Sequence, residues 1–558
     1  MFRVNELFTL LLAVAAPASA SALNHARSET VEWGPCPDWL PSQNNKAPVQ
    51  CGNLTVPLDY VSSNSSETFQ LELLKVPAIK GPSKGSILFN FGGPGVPARD
   101  RLASRSYLLQ ATTGGNHDLI TWDPRCDTSF GYVSDVAFRT PYIDRGVGNT
   151  TTFLCYQSST LRSIFNSLPG PMGNNSDPAM VGSHWAYAGG EANTCALDPG
   201  ASEAGSRIST AYTARDAMKI VDALDDDGML RYWGTSYGTI LGATVAAMFP
   251  GRMDKVVLDG VVNPHEWYYG LNSEWAMDAD PSLDAIFQTC LNSGDSCPFS
   301  GGNQTVDSLR EEFFSVMEEA KLRPIVVGST VIDRTAIAAA VRPQLNDPRT
   351  WPLLTVWLND LFTRNETGIA LGYFQLLGVE TDGTGEDAGG AGDDSATGIQ
   401  CADAGFRTDD LEAFQPAIDK ITNASRTTGL VLIKVQMKCA QWKIKPRERY
   451  EGGFNNIKTK NPILVFTHSL DGSTSHLSAE NVTASFDGSV LLKSNGYGHG
   501  WRAQPSVCTA KAMQRYFDQG ELPDPDTVCD VDVTPFKNVT DVMVSWNQLL
   551  PEIGFESE

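Results

Sequence analysis

The run Gly234-Thr235-Ser236-Tyr237-Gly238 decides the fold prediction, because it fits the pattern Gly-x-Ser-x-Gly and stands between two predicted elements. Residues 231–233 precede it as a short strand, and the small residues of 239–247 follow it as a helix. Glycines on both sides allow a sharp turn from strand to helix while the serine hydroxyl points outward. We therefore predict that Ser236 is a nucleophile; the alternative is a glycine turn with a purely structural role.

Strand and helix patterns continue outward from this turn in both directions. A β-branched stretch at 255–258 follows the helix, and the order strand, turn, helix, strand is typical of a parallel sheet. The other predicted elements are strands at 71–76, 85–90, 117–122, 462–467 and 489–493, and helices at 209–224 and 505–517. This alternation predicts an α/β-hydrolase fold with a mostly parallel central sheet.

A long helical, aromatic-rich segment separates the two halves of the predicted sheet. We assign residues 263–450 to an inserted, mainly helical lid domain, and residues 21–262 and 451–558 to the α/β-hydrolase core. Within the lid, residues 381–398 are almost entirely Gly, Asp, Glu, Ala, Thr and Ser, which cannot bury a core, and they predict a flexible loop. Their acidic residues lack the spacing of a calcium-binding EF-hand loop.

A serine nucleophile needs a neighbouring base, and the chain has seven histidines from which to choose it. In this fold the acid follows the serine and the histidine comes last, so the base is expected well after Ser236. His499 lies in the run Gly496-Tyr497-Gly498-His499-Gly500, where glycines allow the backbone to approach the serine closely. We predict His499 as the base; a solvated loop histidine is the alternative.

The acid partner of the histidine is expected at the end of the preceding core strand. Asp471 follows the predicted strand 462–467 after three residues and is predicted to hold the imidazole in the correct tautomer. An aspartate before Gly472 also fits a simple turn, and Asp487 is the alternative acid.

Two backbone N–H groups are needed to bind the oxyanion that forms when a carbonyl is attacked. Tyr237, directly after the serine, is predicted to supply one of them, and Gly93 in the run Phe91-Gly92-Gly93-Pro94-Gly95 the other. This glycine run lacks the Gly-x-Gly-x-x-Gly spacing of a nucleotide-binding loop. The cysteines and histidines lack the spacing of a zinc site, so neither metal nor cofactor is predicted.

The N-terminus has the pattern of a secretory signal peptide, which we assign to residues 1–20. An apolar stretch at 7–16 is followed by Ala18-Ser19-Ala20, small residues typical of a cleavage site. Nine Asn-x-Ser/Thr sequons along the chain suit a secreted glycoprotein. We therefore expect an extracellular protein without a membrane anchor.

Eleven cysteines leave one unpaired if the others form disulfides, which an extracellular location permits. If neighbours in the sequence pair, the bridges are Cys36–Cys51, Cys155–Cys195, Cys290–Cys297, Cys401–Cys439 and Cys508–Cys529. Cys126 is then the free thiol. Other connectivities remain open, because the sequence does not fix the pairing.

The net charge of −23 excludes a nucleic acid as the expected partner, because phosphate binding needs clustered Lys and Arg. A solvated acidic surface explains the charge, and attraction of cationic substrates is the functional alternative.

Four runs carry a resemblance to a known family: residues 91–95, Trp122-Asp123-Pro124-Arg125, residues 234–238, and the stretch from Pro462 to Gly500. In these runs the chain resembles the tripeptidyl aminopeptidase-like (TAP-like) serine hydrolases of the α/β-hydrolase superfamily, which are related to the prolyl aminopeptidases. The run Val56-Pro57-Leu58-Asp59-Tyr60 extends the likeness toward the start of the chain. The resemblance implies a Ser-His-Asp triad and release of short pieces from peptide N-termini.

The chain departs from the family pattern at two places near the expected pocket. Cys126 stands where the family usually has glycine after Asp-Pro-Arg, and residues 471–475 read Asp-Gly-Ser-Thr-Ser where the family usually has Asp-Pro-Val-Thr-Pro. Both departures concern the substrate pocket, and neither removes a catalytic atom.

The predicted function is hydrolysis of a small peptide through an acyl-enzyme, in the manner of an aminopeptidase. A cationic peptide N-terminus needs a carboxylate, for which the lid acid Glu266 is the first choice, ahead of Glu274, Asp278 and Asp280. An esterase or lactonase acting on small metabolites would use the same residues. A non-catalytic binding protein is the remaining alternative.

Overall fold

A nine-stranded sheet forms the centre of the protein. The computed structural model describes residues 31–37, 40, 46–62, 65–125, 153–156, 158, 161, 177–225, 227–327, 330–378, 393–536 and 542–557. The predicted signal peptide at 1–20 and Cys126 lie outside these residues, so both remain predictions.

The strands of the central sheet follow the spatial order β1-β2-β4-β3-β5-β6-β9-β10-β11. Their bounds are β1 Gln50–Pro57, β2 Thr68–Val76, β3 Ser86–Asn90, β4 Asp118–Trp122, β5 Leu230–Ser236, β6 Met253–Val261, β9 Leu464–Leu470, β10 Val490–Tyr497 and β11 Val528–Cys529; β7 Ile325–Val327 and β8 Thr330–Ile332 form a separate hairpin. Strand β2 is antiparallel to β1 and β4, and the pairs from β4 to β11 are parallel. The predicted α/β-hydrolase fold is confirmed.

Helices cover the sheet and build a layer above its C-terminal edge. Their bounds are α1 Arg99–Ser104, α2 Ser106–Thr112, α3 Pro178–Leu197, α4 Pro199–Gly205, α5 Thr210–Leu224, α6 Tyr237–Met248, α7 Pro264–Tyr269, α8 Ala279–Asn292, α9 Val306–Leu322, α10 Arg334–Gln344, α11 Trp351–Thr363, α12 Glu366–Gly378, α13 Asp393–Asp403, α14 Leu411–Ala424, α15 Gly429–Ala440, α16 His476–Ser485, α17 Val507–Gln519 and α18 Val542–Leu549. None of the helices described here is both long and apolar enough to span a bilayer.

The middle strands are buried on both faces, as expected of a parallel sheet covered by helices. Adjacent residues of β5 enter different cores, because successive side chains of a strand point to opposite faces. Tyr232 packs in the cluster that includes α5 and α6, and Trp233 packs in the cluster that includes α1, α2 and α17. The aromatic rings of Phe89 and Phe517 lie 5.8 Å from the Trp233 ring.

The helical layer includes helix α3, which precedes the serine turn. Helix α3 packs against α14 and α15: the rings of Trp185 and Phe414 are 5.1 Å apart, and Gln441 Nε2 donates to the Trp185 carbonyl. The sequence predicts this part of the chain to belong to the first core segment, because helices before β5 give no local sign of what they pack against. The segment boundaries at 262 and 450 remain a proposal.

The last part of the predicted flexible loop is helical. Residues 381–392 lie outside the described residues, whereas helix α13 begins at Asp393 and includes the last part of the predicted loop. Buried residues explain the helix: Ser395 is fully buried, and Cys401 is bridged to Cys439. Composition alone does not reveal the buried serine or the disulfide partner.

The five predicted disulfides are confirmed. Cys36–Cys51, Cys155–Cys195, Cys290–Cys297, Cys401–Cys439 and Cys508–Cys529 are all present. Pairing between sequence neighbours therefore holds for every described cysteine.

Candidate active site

Ser236 lies at the sharp turn between β5 and α6. Its backbone has φ 58° and ψ −126°, a conformation that costs a non-glycine residue about 1–3 kcal/mol and is typical of functional sites. A Cβ at Gly238 would lie 2.5 Å from the Asn90 carbonyl oxygen, and one at Gly234 would lie 2.6 Å from the Tyr232 ring. Both glycines of the motif are therefore needed for close packing around the turn.

His499 and Asp471 form a buried pair at the ends of β10 and β9. The Nδ1 atom of His499 is 2.8 Å from Asp471 Oδ2 and 3.0 Å from Oδ1. Burial favours the neutral acid, yet the charge and hydrogen bond of His499 hold the pKa of Asp471 below its usual value. The carboxylate is therefore ionised and suited to orient the imidazole.

Asp471 also forms the turn that its sequence context suggested. Its Oδ1 accepts the backbone N–H groups of Ser473 and Thr474, both at 2.9 Å, and Thr474 Oγ1 donates to Oδ2 at 2.8 Å. Thr474 Oγ1 is also 3.2 Å from His499 Nδ1. Thr474 is not among the residues predicted from the sequence, although a threonine three residues after a turn-forming aspartate is a recognisable signal. The alternative acid, Asp487, is exposed between α16 and β10.

The histidine loop packs directly against the serine strand. A Cβ on Gly500 would lie 3.1 Å from Thr235 Cγ2, and one on Gly260 would lie 3.1 Å from His499 Cε1. From the lid side, the Asn346 carbonyl accepts the His499 N–H at 2.8 Å. The structure thus brings His499 beside the turn that carries Ser236, as the sequence predicted.

The glycine run after β3 lies against the serine. Gly92 and Gly93 have φ of 94° and 103°, which favour glycine. The Gly92 N–H donates to Asn90 Oδ1 at 3.1 Å, so this N–H group points away from a bound oxyanion. This leaves Gly93 as the stronger candidate for the second oxyanion donor, in agreement with the sequence-based choice.

Gly92→Ala is expected to lower kcat about 100-fold, because small displacements of reacting groups have effects of that size. The added Cβ would lie 2.7 Å from Ser236 Cβ and 2.8 Å from the Thr235 carbonyl oxygen. Gly81→Ala is the matched control, because Gly81 also has positive φ but has nothing within 4 Å of its Cβ position. Steady-state kinetics on a reporter substrate measure both variants. Equal activity in the two would contradict the close approach of Gly92 to the serine.

Asp259, at the end of β6, connects the serine strand with the histidine loop. No pattern in the sequence indicated this role. Its carboxylate accepts hydrogen bonds from Thr235 Oγ1 at 3.1 Å, Trp233 Nε1 at 3.3 Å and the Trp501 N–H at 2.9 Å. Burial raises the pKa of Asp259 to about 6. The residue acts as a structural bridge close to His499.

A second buried acid connects the lid to the residue after the serine. Tyr237 OH is 2.7 Å from Thr210 Oγ1, which is 2.5 Å from Asp403 Oδ2 in α13. Trp267 Nε1 also donates to Asp403, at 2.8 Å. Burial raises the pKa of Asp403 to about 6. The position of Tyr237, the predicted oxyanion donor, therefore depends on a side chain from the lid.

The structure does not bring Glu266 to the triad. Its carboxylate accepts hydrogen bonds from Ser273 Oγ at 2.5 Å and the Glu274 N–H at 2.8 Å, and it forms an ion pair with Lys420 at 3.0 Å. These contacts compensate its charge and tie the start of the lid together. They do not support the predicted role of Glu266 as the site for a substrate ammonium group.

Two other lid acids contact the segment that carries Asp471. Asp278 Oδ2 is 3.4 Å from the backbone nitrogen of Asp471 and 2.9 Å from that of His476. These contacts connect the start of α8 with the turn formed by Asp471. Glu274 accepts hydrogen bonds from Asn263, Ser478 and Asn481, which are all neutral.

The Trp-Asp-Pro-Arg run has a structural role. Asp123 accepts hydrogen bonds from the Ala98 N–H and from Arg99 Nε, and so fixes the start of α1 after the glycine run. Arg125 is 2 % exposed and donates to both oxygens of Asp216, at 2.5 and 2.7 Å. It also donates to the carbonyls of Pro57 and Leu58, which links this run to the Val-Pro-Leu-Asp-Tyr run near the start.

Comparisons with known proteins agree with the fold described above. A family model described as TAP-like protein matches residues 425–529, and one described as α/β-hydrolase fold matches residues 184–293. The tripeptidyl aminopeptidase of Streptomyces lividans is 23 % identical over 93 % of this chain and 90 % of its own length. The chain is a serine hydrolase of the α/β-hydrolase fold, with a TAP-like region at residues 425–529.

Two further relatives of this chain come from Mycobacterium tuberculosis. The serine protease Hip1 is 27 % identical over 42 % of this chain and 40 % of its own length. A protein named carboxylesterase B is 25 % identical over 89 % of both chains. The relatives thus include one protein named as a protease and one named as an esterase.

Proposed function

We propose that this serine hydrolase is a secreted peptidase that releases short pieces from peptide N-termini through an acyl-enzyme. The observation that supports it most is the buried His499–Asp471 pair beside the Ser236 turn. The similarity to a tripeptidyl aminopeptidase over nearly the whole chain favours peptide as the substrate.

In the first half of the reaction, Ser236 Oγ attacks the carbonyl carbon of the scissile bond and His499 takes the hydroxyl proton. Asp471 stabilises the resulting imidazolium, and the N–H groups of Tyr237 and Gly93 hold the oxyanion. The C–N bond then breaks, His499 gives its proton to the leaving amine, and the acyl group remains on Ser236 as an ester.

In the second half, water replaces the amine. His499 takes a proton from the water as its oxygen attacks the ester carbonyl, and the same N–H groups hold the second oxyanion. Collapse of this intermediate returns the proton to Ser236 Oγ and releases the acyl product as a carboxylic acid.

The substrate ammonium group needs an acid whose charge is not already balanced by a cation. Glu274 fits this requirement better than Glu266, because the donors to Glu274 are neutral whereas Glu266 is paired with Lys420. Glu274 is 8 % exposed and contacts α16, the helix that follows the Asp471 turn. We therefore propose Glu274 as the lid carboxylate for the peptide N-terminus.

A substrate panel tests the proposal. It compares one tripeptide amide with a free N-terminus, the same amide N-acetylated, and a simple ester. Loss of the charge should lower kcat/KM about 100-fold, since an unpaired buried charge typically costs 2–5 kcal/mol. Glu274→Gln should shrink this difference, and Glu266→Gln serves as the matched control. Equal rates for the free and acetylated amides would overturn the aminopeptidase proposal.

An esterase acting on small metabolites is the second candidate. The similarity to carboxylesterase B favours it, and the same serine, histidine and oxyanion donors would cleave an ester. Hydrolysis of the ester together with intact peptide amides would establish this alternative.

Secretion is part of the proposal and has support of its own. The five disulfides suit an oxidising compartment. The sequon residues Asn53, Asn303, Asn365 and Asn423 are exposed, which glycosylation requires. Mass analysis of the secreted chain before and after deglycosylation measures both the cleaved leader and the glycans.

A further inference from the structure

Asp403, the last residue of the lid helix α13, is a buried acid that accepts three hydrogen bonds. Its Oδ1 accepts the backbone N–H of Thr210 at 2.9 Å. Its Oδ2 accepts Thr210 Oγ1 at 2.5 Å and Trp267 Nε1 at 2.8 Å. Both donor residues contact Tyr237, which directly follows the nucleophile. One lid carboxylate therefore holds two neighbours of this tyrosine.

The charge of Asp403 fixes the direction of the hydrogen bonds that reach Tyr237. An ionised carboxylate only accepts, so the Thr210 hydroxyl donates to it and keeps its oxygen free to accept. Burial raises the pKa of Tyr237, so its hydroxyl keeps the proton and donates to Thr210 Oγ1 at 2.7 Å. Two hydrogen bonds in sequence thus run from Tyr237 to the carboxylate. A hydrogen bond to an ionised acceptor is about twice as strong as a neutral one.

The ring of Tyr237 is held on a second side by Trp267. The centres of the two rings are 5.4 Å apart, and the indole N–H of Trp267 is bonded to Asp403. Tyr237 is also the first residue of helix α6 and is buried, so its side chain and its backbone N–H are positioned together. An oxyanion donor is effective because its position is fixed before the reaction begins.

Two tyrosines and an arginine face Asp403 from the elements packed against it. Burial raises the pKa of Tyr237 in α6 and of Tyr268 in α7, so both stay neutral. Arg449 donates to the backbone carbonyl of Asp403. Burial outweighs the hydrogen bonds and the charge of Arg449, and it raises the pKa of Asp403 to about 6. The carboxyl group therefore changes charge in the pH range in which histidines titrate.

We propose that ionised Asp403 is a positioning residue of the reaction, holding the Tyr237 N–H at the oxyanion, and that protonation of this lid acid weakens the oxyanion stabilisation. The inference rests on the proposed acyl-transfer function and adds a means of regulation to it. A protonated carboxyl group has fewer acceptor sites and brings a donor of its own. The three present hydrogen bonds therefore cannot all persist, and Tyr237 loses part of its support.

Paired tyrosine variants test the position of the oxyanion donor. Tyr237→Phe removes the hydroxyl bonded to Thr210 and should lower kcat about tenfold, less than the loss of a whole oxyanion donor. KM should stay nearly unchanged, because the oxyanion forms only in the transition state. Asp403→Asn should give a similar loss. Tyr268→Phe is the matched control, because its hydroxyl is 2.9 Å from Thr244 in the same helix α6, and it should retain the parent's kcat.

The double variant shows whether the two residues act through one set of contacts. If they do, Tyr237→Phe combined with Asp403→Asn should lose little more kcat than the larger single loss. Full additivity, a loss of about 100-fold, would show that Asp403 does not act through Tyr237 and would overturn the proposal.

A pH series separates positioning from a purely structural role. The ratio of the parent's kcat to that of Asp403→Asn should be about tenfold at about pH 8 and fall to about twofold at about pH 5, where the parent's carboxylate is mostly protonated. Protonation of His499 affects both proteins and cancels in the ratio. Tyr237→Phe should show the same convergence and serves if Asp403→Asn does not fold.

Two results would overturn the proposal: a ratio that is the same at both pH values, or a Tyr237→Phe variant as active as Tyr268→Phe. Esters and amides form the same oxyanion, so either substrate can be used in these assays. Failure here therefore leaves the proposed peptidase function intact, because that function is tested by the substrate panel.

Discussion

Ser236→Ala is expected to lower kcat by about a million-fold, with His499→Ala close behind, because triad residues act as one unit. Asp471→Asn should cost up to about 10,000-fold, since the imidazole loses the acceptor that fixes its tautomer. The His499 Nδ1 atom is 2.8 Å from Asp471 Oδ2, so this substitution acts directly on the imidazole. Turnover of a reporter substrate and labelling by a fluorophosphonate probe measure the three variants.

A control separates the loss of the triad from the loss of a histidine as such. His265 lies at the start of the lid, 3.3 Å from Ser485 Oγ, and His265→Ala should retain most of the activity. All variants should keep the thermal midpoint of the parent protein within a few degrees. Labelling of Ser236→Ala at the level of the parent would show that another residue is the nucleophile.

Asp216→Ala is expected to destabilise the fold by about 3–5 kcal/mol, because it leaves the buried Arg125 without its counter-ion. Asp216 is fully buried and accepts three hydrogen bonds, two from Arg125 and one from Tyr60 at 2.6 Å. The midpoint of urea denaturation measures the change. As a control, Asp284→Ala removes the acidic partner of Arg310 in a partly exposed ion pair. It should lower the free energy of unfolding by about 1 kcal/mol or less.

A double variant shows whether the loss of stability comes from the unpaired Arg125 charge or from the space left by the smaller side chain. Arg125→Met with Asp216→Leu removes both charges while keeping side-chain volume, and it should recover much of the lost stability. A single Asp216→Ala no more harmful than Asp284→Ala would show that the Arg125 cluster contributes little to the fold.

The features that sequence predicted correctly are marked by local patterns. The serine turn needs glycines at fixed positions, and the parallel strands on each side are continuous apolar runs. His499 and Asp471 are predicted from the order of residues in this fold; the structure places their side chains 2.8 Å apart, and their catalytic roles stay a prediction. Disulfide pairing was found because every bridged cysteine pairs with its neighbour in sequence.

The features that could not be predicted from the sequence depend on contacts between distant segments of the chain. Asp259 and Asp403 look like ordinary acids in the sequence, and their roles appear when strand ends and a lid helix meet. Glu266 was chosen because it is acidic and lies where the lid begins, but pairing with Lys420, 154 residues away, balances its charge. Helix α3 likewise shows no local sign that it packs against α15.

The contact between Asp403 and Tyr237 through Thr210 restricts how this protein can diversify. Lids are often regarded as modules that can be exchanged to obtain a new specificity while the core keeps its chemistry. Here a donor lid that lacks an acid at position 403 would leave Thr210 of the core without its acceptor and would loosen the residue next to the nucleophile. Recombination in nature or in the laboratory therefore has to transfer α13 together with the core, so the functional boundary of the module lies inside the lid.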